Sequence, residues 1–236
     1  TPANCLVVGV SGGIDSSVVS TLCARTGIKT LVASMPISQR PEHHDLSIKH
    51  AQWLTKKYSN AYSVEIDLTY PFLTFENSMK DKKFTSDLGF ANSKARLRMM
   101  TLYQISASTT GLVVGTGNKV EDFGVGFYTK YGDGGVDISP IADCNKSQVW
   151  AMGKELGILE EIQMAEPTDG LWSDGRTDTD QLGMSYKEIE HLMSRPDEVG
   201  YDKYLAIRKK NLHKMKPIPV CKFDGKDTLD TDQKET

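Results

Sequence analysis

Cysteine is scarce in this chain of 236 residues, and neither sign of charge dominates it. Cys5, Cys23, Cys144 and Cys221 lie far apart, with no C-x-x-C pair and no Cys/His cluster at zinc spacing. A disulfide framework or a structural zinc site is therefore excluded as the organiser of the fold, and we read a reducing, cytoplasmic setting. Lys and Arg number 28 against 31 Asp and Glu, a formal net charge of −3. That balance gives no bulk attraction to nucleic acid or to an anionic membrane, so neither is expected as a partner, and any polyanion must be gripped locally. No apolar run approaches the ~20 residues needed to cross a bilayer. Thr1 to Cys5 show no charged leader followed by an apolar stretch, so no secretory signal is expected.

What the chain does have is alternation. LVVGV (Leu6 to Val10), TLVASMPI (Thr30 to Ile37), AYSVEIDL (Ala61 to Leu68) and LVVGT (Leu112 to Thr116) read as strands. Helical patterns separate them: DSSVVSTLCART, then Leu46, Ile48, Ala51, Trp53 and Leu54, then ARLRMMTLYQISAS, for which Asn92 is the expected N-cap. Pro36 and SQRPEHHD read as a turn, with His43 and His44 solvated. This order predicts an α/β fold, a doubly wound parallel sheet with helices on both faces. From Lys146 onward the patterns are helical, a C-terminal extension. We expect one domain over residues 1–221 and a flexible polar tail over 222–236.

The sharpest local signal is GVSGGIDSS, Gly9 to Ser17, at a strand-to-helix junction. Gly12 and Gly13 remove side chains so that backbone can approach a ligand. The helix that follows aims unpaired N–H groups at the same place, an anion site that needs no net positive charge. Ser11 and Ser16 add hydroxyls. Asp15 beside an anion site makes sense when a divalent cation bridges it to phosphate oxygens. Walker A and the G-x-G-x-x-G fingerprint are both absent here. Gly9-Val10-Ser11-Gly12-Gly13 formally matches the nucleophile elbow, but that fold takes half its oxyanion hole from a loop after an earlier strand, and only eight residues precede Gly9.

A second block, Gly115 to Lys146, begins at the end of the fourth strand, on the sheet edge that carries the first motif. Thr116 is placed to touch a nucleotide, and Glu121 is a second carboxylate to pair with Asp15 on one Mg2+. Lys130 and Lys146 bracket YGDGGVD with its acids Asp133 and Asp137, and five glycines from Gly124 to Gly135 predict a loop shaped around a ligand.

SGGIDS resembles the pyrophosphate-binding loop of the N-type ATP pyrophosphatases. ARLRMM, GTGNKVE, TKYGDGGVDISPI and PTDGLWSDGRTDTDQLGMSY together resemble one branch of them, the NAD synthetases, in the expected order from Gly9 to about Tyr186. The resemblance implies that Gly9, Val10, Ser11, Gly12, Gly13, Ile14, Asp15 and Ser16 bind ATP, with Thr116, Lys146 and Thr168 around it. It implies that Asp15 and Glu121 hold Mg2+. It assigns Arg96, Lys130, Asp137, His213 and Lys214 to deamido-NAD, and it implies a homodimer with that site close to the interface. Thr179 stands where many relatives carry an acid, and the interval from Glu121 to Lys130 is one residue longer than in some of them.

The implied reaction is ATP-dependent amidation of deamido-NAD to NAD by ammonia through an acyl-adenylate, releasing AMP and pyrophosphate. No protein nucleophile is needed. Glutamine-using relatives carry an extra amidase domain for which 236 residues leave no room, so free ammonia is the expected donor. Two alternatives stand beside this reading. Another N-type ATP pyrophosphatase, amidating or thiolating a different acceptor, would share SGGIDS; a tRNA-acting version would show a basic stripe or zinc-spaced cysteines. A non-catalytic adenine-nucleotide-binding module would share the sheet but leave Glu121, YGDGGVD and PTDGLW without a purpose.

Overall fold

The computed structural model describes residues 3–38, 41–172 and 174–221. The apolar runs form β1 (Cys5–Gly9), β2 (Thr30–Ser34), β3 (Ala61–Glu65) and β4 (Gly111–Val114); β1 is displaced by one residue from its run and the others are shorter than theirs. They pair in parallel in the order β3-β2-β1-β4. Helices α1 (Ile14–Arg25) and α2 (Pro41–Lys57) cover one face, and α3 (Thr69–Asp81) and α4 (Asp87–Thr109) cover the other. With both faces covered, Val7, Val8, Val32 and Val113 are all inaccessible to water, which is why the strands read as continuous apolar runs. The expected doubly wound sheet is what the chain adopts.

After β4 the chain makes a π-helical turn (Val120–Val125), then α5 (Lys146–Leu156) and α6 (Glu160–Met164), which join α1 and α2 on their face. Helices α7 (Asp178–Leu182), α8 (Tyr186–Leu192) and α9 (Tyr201–Met215) follow. They build a separate apolar cluster against the π-turn from Val120, Val125, Leu182, Ile189 and Tyr204. This is the helical C-terminal extension; residues 222–236, the expected tail, lie outside the described residues.

Helix α1 explains how α5 reaches the centre. It is buried almost all round, yet it carries Ser16, Ser17, Ser20 and Thr21. Their hydroxyls are satisfied locally: Ser17 Oγ donates to Gly13 O at 2.9 Å, Thr21 Oγ1 to Ser17 O at 2.7 Å, and Ser20 Oγ pairs with His50 Nε2 at 2.8 Å. Small side chains let neighbours come close. A Cβ on Gly153 of α5 would lie 2.5 Å from Ile14 Cδ1, so any larger residue there would make the end of the Ile14 side chain move. Asn145 caps α5 reciprocally with Gln148, its N–H donating to Gln148 Oε1 at 2.8 Å, and Lys146 is thereby set at the first helical position.

Two local expectations need correction, and one helix stands where no element was expected. SQRPEHHD is not a turn throughout, because α2 begins at Pro41, where a missing N–H costs nothing in the first turn. TYPFLTFENSMKD forms α3 despite its β-prone Thr, Tyr and Phe; Pro71 is its third residue, still among the positions without an intrahelical donor role. Asn92 does not cap α4: Ser86 does, accepting from Gly89 N at 3.1 Å, and Asn92 lies in the second turn, where its Oδ1 accepts from Thr129 Oγ1 at 2.8 Å. Among the described residues no helix is long and apolar enough to cross a membrane, and all four cysteines are free thiols.

Candidate active site

The strand order reverses around β1, whose neighbours β2 and β4 are reached by opposite routes. At such a point the carboxyl ends of the strands splay, and open α/β sheets bind ligands there. A cavity of about 630 Å3 occupies this place, large enough for a nucleotide-sized ligand. Its floor is the loop Gly9 to Ser16. Gly12 has φ +86°, a left-handed turn that a side chain would strain. Ser16 Oγ accepts from Ser11 N at 3.2 Å and donates to Gly13 O at 3.1 Å, closing the loop on itself. Gly13 caps α1 with no side-chain acceptor, which leaves the first-turn N–H groups available to an anion.

The most constrained side chain in the cavity is Lys146, only 2% exposed. Its Nζ donates to Asp15 Oδ2 at 2.5 Å and to Glu121 Oε1 at 2.9 Å. Burial works against the ammonium, but Asp15 and Glu121 outweigh it and hold the group charged, above lysine's ordinary range. The Tyr186 ring lies under the ammonium, its centroid 4.5 Å from Nζ. Asn118 steadies both acids: Nδ2 donates to Asp15 Oδ1 at 3.0 Å, and Oδ1 accepts from Val120 N at 3.0 Å and Glu121 N at 3.2 Å. Tyr186 completes the group, its hydroxyl 2.6 Å from Glu121 Oε1 and 2.7 Å from Asp178 Oδ2.

Cations gather at another wall of the cavity. Arg96 Nε donates to Lys130 O at 3.2 Å, Lys130 Nζ to His213 O at 3.4 Å, and Lys214 Nζ to Tyr128 O at 2.6 Å. Helix α9 is fastened there by Asn211 Nδ2 to Val125 O at 2.9 Å and by Arg208 to the carbonyls of Phe123 and Gly124. The Ala165–Trp172 segment supplies a further wall, in which Thr168 Oγ1 donates to Arg176 O at 3.1 Å and accepts from Gly170 N at 3.2 Å.

Every residue expected at the site from the sequence therefore lines this one cavity, with a single exception. Asp137 is exposed and lies outside the lining of this cavity. Its Oδ2 accepts from Val113 N at 2.8 Å, and its Oδ1 from the Tyr103 hydroxyl at 3.1 Å. It locks residues 137 and 138 against β4, where Gly115 N donates to Ile138 O at 2.7 Å.

Several residues of the site went unassigned in the sequence. Asn118 sits inside GTGNKVE, and Asp178 and Tyr186 sit inside TDTDQLGMSY, so the motifs that carry the resemblance held them without marking them. Burial pushes the Asp122 carboxyl up to about 7, with Glu121, Asp133 and Asp15 adding repulsion. Asp133 Oδ1 accepts from Thr129 N at 3.0 Å on the same wall. Arg98 donates from Nε to Met35 O at 3.0 Å, its Nη2 is buried without a partner, and burial brings the guanidinium down to about 10. The arrangement can hold phosphates on backbone N–H groups, hold a hard cation on two carboxylates, and offer carboxyls that exchange protons near neutral pH.

Comparison with known proteins agrees with this geometry. The family model of NAD synthase matches residues 1–222. A protein of Carboxydothermus hydrogenoformans named NH(3)-dependent NAD(+) synthetase is 39% identical over 194 residues, 81% of this chain and 77% of that protein. Its namesake in Sulfurisphaera tokodaii is 34% identical, over 93% of this chain and 82% of that one. Among solved structures, NMN synthetase from Francisella tularensis superposes with a TM-score of 0.85 at 32% identity, covering 94% of this chain and 91% of that one. An NH3-dependent NAD synthetase from Campylobacter jejuni gives 0.72 at 26% identity, with the same coverage. A glycine-rich loop on a helix N-terminus, two carboxylates on one cation and a cationic wall thus lie within the residues that the family model matches. The chain belongs to the NAD synthase family.

Proposed function

We propose that this cavity is where the chain converts a carboxylate into an amide. As a member of its family the chain is a ligase that forms a carbon–nitrogen bond, making NAD from deamido-NAD, ATP and ammonia. The observation that carries the assignment of the site is the Lys146 ammonium shared by Asp15 and Glu121 at the mouth of the Gly9–Ser16 loop. Both carboxylates already lie within 3 Å of one positive charge, so their oxygens suit a hard cation. Among the described residues no group of three or more His, Cys, Asp or Glu could hold a metal alone. Two carboxylates completed by substrate phosphates is the donor set Mg2+ takes. Bound there, Mg2+ would neutralise charge on the pyrophosphate as it leaves.

The rest is positioning. A carboxylate is a poor acyl donor to ammonia because oxide would have to leave. Its oxygen must first bond to the α-phosphorus of ATP, expelling pyrophosphate, after which ammonia displaces AMP from the acyl carbon. In our reading Gly9, Val10, Ser11, Gly12, Gly13, Ile14 and Ser16 hold the phosphates, Thr116 and Thr168 border the same nucleotide, and Lys146 offsets charge between the two acids. Arg96, Lys130, His213 and Lys214 take the second nucleotide. Asp137, exposed and bonded to Val113 N and the Tyr103 hydroxyl at the edge of that wall, is assigned to the same nucleotide. A homodimer fits the same surface: Met100, Tyr103 and Tyr131 are 65%, 38% and 60% exposed and border a shallow hollow with Arg96. Four free thiols suit the cytoplasm, and residues 1–221 suit one catalytic unit.

A second reading has one observation behind it: the higher of the two TM-scores belongs to a structure described as an NMN synthetase. On that reading the acceptor is nicotinate mononucleotide. Parallel assays of amide and AMP formation from both acids, with ATP, Mg2+ and ammonium, decide between them. We expect kcat/KM for deamido-NAD to exceed that for the mononucleotide by at least about tenfold, or 1.4 kcal/mol. The reverse preference would transfer the assignment to the mononucleotide, and no amide from either acid would overturn the function.

A further inference from the structure

Arg98 of α4 lines the cavity with a guanidinium that the protein hardly uses. Among the described residues its one hydrogen bond runs from Nε to Met35 O at 3.0 Å, and it forms no ion pair. Nη2 is covered and meets no acceptor. An arginine stays charged at neutral pH, and a charged donor buried without a partner costs free energy. A water molecule would fill the hydrogen bond and leave the charge unmatched. Such a group is expected where an anion arrives with the ligand.

Its place says which anion. Arg96 and Arg98 are two residues apart, and such positions point to different sides of a helix. Arg96 reaches Lys130 O, on the wall read as that of deamido-NAD, while Arg98 turns to the carboxyl end of β2. Met35 packs there on the start of the anion loop. Its Cε lies 3.4 Å from where a Cβ on Gly9 would stand, and Val10 N donates to Ala33 O at 2.9 Å. In our reading the N-terminus of α1 holds the outer phosphates of ATP, and the apolar lining beside Met35, from Leu46, Met99 and Leu102, takes the base. The α-phosphate then lies between the two, which is the side that Arg98 occupies.

We propose that the Arg98 guanidinium, anchored on Met35 O, binds the α-phosphate of ATP and keeps hold of it through the acyl-adenylate until AMP leaves. This phosphorus is the one the carboxylate attacks, so a fork of N–H donors on its oxygens also fixes it for that attack. The proposal rests on the reading of the Gly9–Ser16 loop as the ATP phosphate site. Magnesium pyrophosphate, which carries no nucleoside, probes that loop by itself.

Calorimetric titration with AMP and with adenosine isolates this one phosphate. Wild-type protein should bind AMP at least about tenfold more tightly than adenosine, as hydrogen bonds between charged groups contribute. In Arg98→Gln that preference should fall to about twofold or less, while adenosine and magnesium pyrophosphate bind within about threefold of wild type. Arg98→Lys, which keeps the charge but not the fork, should show an intermediate preference and decides the matter if Arg98→Gln does not fold. No preference in wild type, an unchanged preference in the variants, or a loss shared equally by adenosine or by pyrophosphate would overturn the proposal. Failure of the wild-type protein to bind magnesium pyrophosphate would instead overturn the reading of the loop, and the role of Arg98 with it.

Discussion

Lys146→Met destabilises the metal-free protein by about 3 kcal/mol and lowers kcat/KM by about a thousandfold or more. The stability loss follows from burial. Lys146 is 2% exposed and is the cation that Asp15 and Glu121 share; methionine fills its volume but leaves two carboxylates facing each other. Removing one partner of a buried ionic group costs far more than the group contributes when intact, because the remaining charges stay desolvated. Added Mg2+ should recover part of the loss in Lys146→Met and stabilise the variant more than wild type, since the vacated carboxylates then have a cation to bind. Chemical denaturation with and without Mg2+ reads both effects. A variant as stable as wild type would contradict the shared ion pair, and equal stabilisation of the two proteins by Mg2+ would contradict the metal assignment.

Asp15→Asn lowers kcat/KM for ATP by about a thousandfold, the several kcal/mol of transition-state charge stabilisation expected of a metal-held phosphate. The amide keeps the volume and can still accept from Asn118, so the backbone of the Gly9–Ser16 loop has no reason to shift. What disappears is one of the two negative charges that hold a cation beside the phosphates. KM for deamido-NAD should stay within about threefold, because Arg96, Lys130, His213 and Lys214 line another wall. Steady-state kinetics in both substrates separates these outcomes. Near-normal turnover would remove Asp15 from the metal role.

The contrast between Asp15 and its partners shows what the sequence makes legible. A β-branched run, two glycines and an acid at the start of a helical pattern announce a strand, an anion loop and a cation ligand within a dozen residues, and β1, its loop and α1 follow that announcement. Lys146 is 131 residues from Asp15, and Tyr186 is 65 from Glu121. Their meeting depends on α5 packing against α1 through Ile14, Val18 and Val149 and on α8 packing against the π-turn, contacts that no local pattern encodes. Asp137 shows a limit of another kind: an acid inside a ligand-shaped loop reads as a ligand contact, and nothing local says that it also accepts from the backbone N–H of Val113. Helix α3 was illegible because its aromatic and β-branched residues and Pro71 oppose helix propensity, which packing of Phe72 on Phe90 overrides.

Oxygen tracing tests the central claim most directly. Deamido-NAD labelled with oxygen-18 in its nicotinate carboxylate is turned over with ATP, Mg2+ and ammonium, and the products are analysed by mass. If the carboxylate attacks the α-phosphorus in this cavity, AMP carries one label and the NAD amide retains the other. Label found in inorganic phosphate or pyrophosphate, with AMP unlabelled, would contradict the account.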